Sequence, residues 1–197
     1  MIPVQPQREP SDFDGKVRQP GLKWLEENHF DFDAPAPPGA KLPPYWRKCL
    51  DVLHEKYGGV CAYLCVYIER IGAETVDHYV AKSKLLKLAY EWSNYRLACR
   101  IMNGRKGTDK VLDPFEIKPD TFRLELVTGR IYVNPESPGA QHQTAKKTID
   151  LLGLDLTNPR KIRSAYWDDF IKKEITAGYL KKKSPFVWLE ANRQGLL

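Results

Sequence analysis

The sequence predicts a mixed α+β fold organised around one core. Three observations lead there. Apolar residues recur at helical steps after the prolines at 43 and 44, segments of strand length rich in Val, Tyr and Ile are broken at glycines, and the last third of the chain returns to helical spacing. A length of 197 residues suits a single core with extensions. A content of 42% hydrophobic and 11% aromatic residues excludes a disordered chain.

From the N-terminus, residues 1–43 read as an arm and a proline-rich linker, because the prolines of 34–44 fix φ and remove backbone donors. Within the arm, residues 21–28 can dock as a helical turn through Trp24 and Leu25. An amphipathic helix is expected from Pro44, with Trp46, Leu50, Leu53 and Tyr57 on one face and Gly58-Gly59 as its stop. Residues 60–68 and 74–80 should be strands around a turn at Gly72, which places Asp77-His78 at a strand end.

A basic connection over 82–92 leads to a further strand from Asn94 to Cys99 and a short helix carrying Asn103 and Lys106. Residues 121–134 alternate through Phe122, Leu124, Leu126, Ile131 and Val133 around Thr128-Gly129, a hairpin signal. Two helices follow, one from Gly139 to Leu152 closed by Gly153, the other over 159–177 with Ile162, Tyr166, Phe170 and Ile171 on one buried face. The Lys181-Lys182-Lys183 run reads as a solvated helix end, and 186–189 as a core-capping segment.

The residues that carry chemistry sit in the middle of the chain. Hydrolysis of a phosphodiester needs a base for the attacking water and positive charge at the phosphate and leaving oxygen. His78 titrates in the right range for a base, and its neighbour Asp77 can hold a hard cation through oxygen. Successive strand residues point to opposite faces, so both serve one site only where the strand ends or bends. Asn103 can add an oxygen ligand, and Lys106, three positions on, can face a phosphate.

These segments, Val76-Asp77-His78-Tyr-Val-Ala-Lys82, Trp92-Ser-Asn94-Tyr-Arg-Leu-Ala-Cys99 and Met102-Asn103-Gly-Arg-Lys106-Gly107, resemble the HNH endonuclease family in order and spacing. The resemblance covers roughly residues 44–115. It implies a ββα-metal core of strand, loop, strand and helix; the periodicity adds the N-terminal helix, and the hairpin and helices of 116–197 are read as an extension of the same domain. The resemblance also implies that Asp77 and Asn103 hold the metal, that His78 is the general base and that Asn94 fixes the loop carrying His78. The segment from Ala145 to Leu152, with Leu154 and Arg163, is similar to the tail of HNH proteins that accompany ATPases in bacterial anti-phage systems of the Septu and retron types.

The chain departs from the family's pattern twice. Relatives pair Cys-x-x-Cys motifs around a structural zinc; here Cys61 and Cys99 remain but Leu64 and Met102 take the partner positions, so no structural zinc is expected, Cys65 being the one thiol that could shift into use. Leu64 and Met102 would then fill a zinc-free knuckle. Ala81 stands where proline is common, leaving the loop after His78 less rigid.

The function expected is metal-dependent endonuclease action on DNA, with Mg²⁺ as the oxygen-bound cofactor and Mn²⁺ or Zn²⁺ as alternatives. Arg100, Arg105 and Lys106 would contact phosphates; 31 Lys+Arg against 25 Asp+Glu, a formal +6, favours such a polyanion and equally fits an ordinary soluble surface. Without an apolar leader or membrane span, a cytoplasmic protein with reduced thiols is expected. The alternatives are a catalytically silent adaptor docking onto an ATPase, or a DNA-binding module.

Overall fold

A computed structural model describes residues 1–197, the side chain of residue 140 apart. Its class is α+β: seven α-helices and two antiparallel two-stranded sheets among the described residues. The chain groups into two compact units that interleave in sequence, Pro6–Gly59 with Glu69–Lys110, and Met1–Gln5 with Val60–Ile68 and Val111–Leu197. The first contains all the candidate site residues and is called the site unit below.

The site unit opens with a π-helical turn, Asp14–Arg18, running into α1, Gln19–Glu27. The end of the N-terminal segment is therefore helical and packed. Phe13, Val17 and Leu25 are fully buried, and Phe13 packs edge-on against Trp92 and Tyr95. Arg18 holds the segment down through Glu9, Asp14 and Glu91. Gly21 is required by a close approach, since a Cβ there would lie 2.2 Å from the Tyr90 ring.

After the proline segment, a 3₁₀ turn, Tyr45–Cys49, leads into α2, Leu50–Lys56, which buries Leu53 and ends where Gly58 and Gly59 adopt positive φ. The strand β1, Glu74–His78, pairs antiparallel with β2, Tyr95–Cys99, in a register that sets His78 opposite Tyr95 and Asp77 opposite Arg96. The helix α3, Arg100–Lys106, follows β2 without a break and packs on both strands. The expected pairing of 60–68 with 74–80 is not formed: Val60 and Tyr67 make one isolated bridge with each other, and β1 takes β2 as its partner. A Cys65 φ of +58° and an amide bond from Cys65 to the Cys61 carbonyl turn residues 60–68 back on themselves, so they present no extended edge.

In the other unit, β3, Phe122–Glu125, and β4, Arg130–Val133, form the expected hairpin. Gly129 at its turn has φ +66°, and a Cβ there would lie 2.1 Å from the Arg160 carbonyl oxygen. Four helices follow: α4, Gly139–Leu152, capped by left-handed Gly153; α5, Thr157–Ile171; α6, Ala177–Lys183; and α7, Pro185–Arg193.

The buried face of α5 is not the one expected. Ile162 and Ile171 are 38% and 55% exposed, while Pro159, Arg163 and Trp167 are buried. Arg163 turns inward because its guanidinium finds buried acceptors, donating to the carbonyls of Gly129 at 2.8 Å and Leu154 at 2.7 Å. Leu64 and Met102 are both buried. No helix among the described residues is long and apolar enough to cross a membrane.

Candidate functional site

A cleft of about 900 Å³ lies within the site unit, lined by residues 36–40 of the proline segment, by Trp46 and Arg47, by all five residues of β1, by Lys82, and by Arg100 and Asn103 of α3. Asp77 and His78 both line it, because β1 ends at His78 and the chain turns away. Beyond the strand end, the Tyr79 amide donates to the Asn94 carbonyl at 2.8 Å, and the Asn94 side chain clamps the loop. Its Oδ1 accepts from the Val80 amide at 2.8 Å, while its Nδ2 donates to the carbonyls of Val80 at 3.0 Å and Leu88 at 2.9 Å. An amide is suited to this task since it donates and accepts at once.

The Asn94 clamp brings residues 80–94 round so that the Ala89 carbonyl meets His78 Nε2 at 2.9 Å. A carbonyl oxygen can only accept, so Nε2 carries the proton of the neutral ring and the lone pair is on Nδ1. Tyr95 donates its hydroxyl to the same carbonyl at 2.9 Å, and the His78 ring is gripped edge-on by Trp46 and Tyr95, with centroids 4.8 and 5.1 Å away. Burial pushes the His78 pKa down to about 4; the Ala89 carbonyl opposes the shift and the ammonium groups of Lys82 and Lys106 add to it. The imidazole is neutral at pH 7.

Asp77 is 2% exposed and meets Lys106 Nζ at 3.1 Å, and the same ammonium donates to the His78 carbonyl at 2.8 Å. Lys106 itself has no exposed surface, which corrects the expectation that it faces a phosphate. Its carbon stem lies in the core of the unit, and its charge is matched internally by Asp77. Arg100 and Arg105 are exposed; Arg100 lines the cleft and donates to the Gly72 carbonyl at 2.7 Å.

Asn103 projects from α3 toward β1, its Nδ2 donating to Thr75 Oγ1 at 3.0 Å and, at 3.4 Å, to the Val76 carbonyl. With the amide nitrogen so engaged, Asn103 Oδ1 is the atom left for a ligand. Asp77 and Asn103 thus offer the cleft one carboxylate and one amide oxygen, a donor set that suits a hard divalent cation completing its shell with water and phosphate oxygens. Among the described residues no three His, Cys, Asp or Glu side chains converge. Cys49 is buried with its thiol pushed up to about 12 by desolvation, as an unreactive core residue would be.

The structure places Asp77, His78, Asn103 and Arg100 at one cleft, on β1 and α3, while Asn94 lies in the turn just before β2, outside the lining, and reaches it only through the loop it clamps. Sequence reasoning missed three contributors. Trp46 was readable only as a helix-face apolar residue, the Ala89 carbonyl carries no side-chain signal at all, and Thr75 is one strand threonine among others. No family model matches the chain, and no curated protein matches it either.

Proposed function

We propose that the site unit is a ββα-metal endonuclease of the HNH type, hydrolysing DNA phosphodiester bonds with a divalent cation, Mg²⁺ by preference and Mn²⁺ or Zn²⁺ as alternatives. One observation carries the reading: a neutral histidine, its Nε2 fixed on the Ala89 carbonyl, beside a carboxylate and an amide oxygen on a strand-loop-strand-helix framework. In this reading Nδ1 of His78 takes the proton of the attacking water. The water oxygen bonds to phosphorus and the bond to the leaving oxygen breaks. Asp77 and Asn103 would hold the cation, whose chemistry is to neutralise charge on the phosphate and the leaving oxygen.

Asn94 acts at one remove, by holding the loop whose carbonyl orients His78. Arg100 and Arg105 would grip flanking phosphates. A role in bacterial anti-phage defence beside an ATPase rests on the similarity of residues 145–163 alone. A second reading, a silent adaptor with the same fold, is favoured by the buried Lys106 ammonium that already neutralises Asp77.

The test is nicking of supercoiled plasmid in EDTA, Mg²⁺ or Mn²⁺, with and without host extract as the source of an ATPase. Metal-dependent nicking that His78→Ala lowers by about 10²- to 10⁴-fold is expected. Wild type that never nicks, with extract or without, would leave the adaptor; extract that never changes the rate would remove the ATPase from the scheme.

A further inference from the structure

The cleft carries an aromatic group whose part in the hydrolytic site is limited to packing on His78. Trp46 is half-buried in its lining, with its ring edge-on to His78 at 4.8 Å, Tyr90 behind it at a 33° tilt and 5.9 Å, and the Lys82 ammonium 5.3 Å from its centroid. Arg47 is exposed at the next position, and Arg100 contributes a second exposed guanidinium to the same lining. An indole ring beside a cation, with more cations along the cleft, is the arrangement that holds unpaired bases: the ring stacks on the base while the charges follow the phosphates.

The proline segment makes the same point through shape. Residues 36–40 line the cleft, and the segment before them is tied down by hydrogen bonds that the Leu86 and Lys87 amides donate to the carbonyls of Ala34 and Phe32 and by the Lys87–Asp33 ion pair. The cleft is therefore walled by several stretches of chain and is not one flat face. In a duplex the flat faces of the bases are covered by their neighbours and only their edges reach the grooves, so a ring platform has nothing to stack on. An unpaired base offers its face.

We infer that Trp46 is the floor of a subsite for an unpaired nucleobase next to the phosphodiester presented to His78, so that the preferred substrate is a single-stranded polynucleotide. The inference rests on the nuclease reading for the phosphodiester, but the subsite itself binds without catalysis. Lys82 is the displaceable group: a base arriving on the indole takes the place of its ammonium, which then meets the phosphate. DNA and RNA share this chemistry, and the structure places no group that chooses between them.

The experiment is fluorescence anisotropy of the full chain in EDTA with labelled short oligonucleotides of one sequence, as single-stranded DNA, single-stranded RNA and duplex DNA. At least one single strand should bind more tightly than the duplex, and whichever does identifies the polymer. Trp46→Ala and Trp46→Leu should each weaken that binding by about 5- to 150-fold, whereas Trp46→Phe, which keeps a ring, should retain most of it. The leucine variant keeps an apolar group against Tyr90, and its thermal midpoint shows that it folds. A duplex bound at least as tightly as both single strands, or a leucine variant that binds like wild type, would overturn the subsite. Single strands that bind through Trp46 to a wild-type chain that never nicks in the plasmid assay would instead count against the nuclease reading alone.

Discussion

The two small sheets of this protein bury their residues by different rules. In β3 and β4, Phe122, Leu124, Ile131 and Val133 are buried and alternate with Arg123, Glu125, Arg130 and Tyr132, the period of a sheet with one face on a core and one toward water. In β1 and β2 burial is consecutive, from Val76 through His78 and from Tyr95 through Ala98, and it takes in Asp77, His78 and Arg96. Each of these polar groups has a partner: the Lys106 ammonium for Asp77, the Ala89 carbonyl for His78, and the carbonyls of Ser93 and Tyr95 for Arg96. One sheet is held by apolar area and the other by polar groups that loops and α3 must satisfy.

The largest separation between the two should come from removing one anchor in each. Lys106→Met leaves the Asp77 carboxylate buried without its countercharge and should lower unfolding stability by about 3–5 kcal/mol. Phe122→Ala opens the apolar core under the hairpin and should lower it by a similar amount, about 3–5 kcal/mol. Urea unfolding measures both. The nicking assay divides them, since folded Phe122→Ala should keep its rate and folded Lys106→Met should not. A Lys106→Met that unfolds like wild type would show that the buried pair is not what holds the site sheet.

Acid should act on the site sheet through His78. Its pKa is near 4 in the fold against an ordinary 6.5, so above pH 6.5 neither state binds the proton and stability is whole. As pH falls from 6.5 toward 4 the unfolded chain takes up a proton that the folded chain refuses. Stability declines over that window by about 3 kcal/mol and then levels off. Urea midpoints of wild type and His78→Phe across pH 4 to 7 isolate the effect; curves that stay parallel would mean that His78 is not desolvated as described.

Legibility in the sequence followed the same divide. The hairpin of β3 and β4 and the span of α4 could be read because apolar period and turn glycines set them locally. Asp77, His78, Asn94 and Asn103 could be picked out because the order of three short segments carries them. What could not be read is how their charges are matched. Lys106 looks like a surface cation until α3 is laid on β1, and Arg163 like a polar interruption in an apolar face until Gly129 and Leu154 turn their carbonyls to it. Trp46 and Phe13 follow suit, being placed by contacts distant in sequence, with His78 and Tyr90 for the one and Trp92 and Tyr95 for the other.

The smallest expected effect is the most specific to the site sheet. Thr75 donates its hydroxyl to the Ala98 carbonyl at 2.7 Å and accepts from Asn103 Nδ2 at 3.0 Å, joining β1 to β2 and to α3 through one oxygen. Thr75→Val keeps the shape of the side chain and removes both bonds, which should lower stability by about 1–2 kcal/mol. Asn103 would keep only its 3.4 Å contact with Val76, so its amide would lose direction while remaining in place. If Asn103 Oδ1 is a cation ligand aligned by the Thr75 bond, Mn²⁺ affinity followed by electron paramagnetic resonance should fall by about 10- to 100-fold. Unchanged Mn²⁺ affinity with the stability loss intact would reduce Asn103 to a strut between α3 and β1.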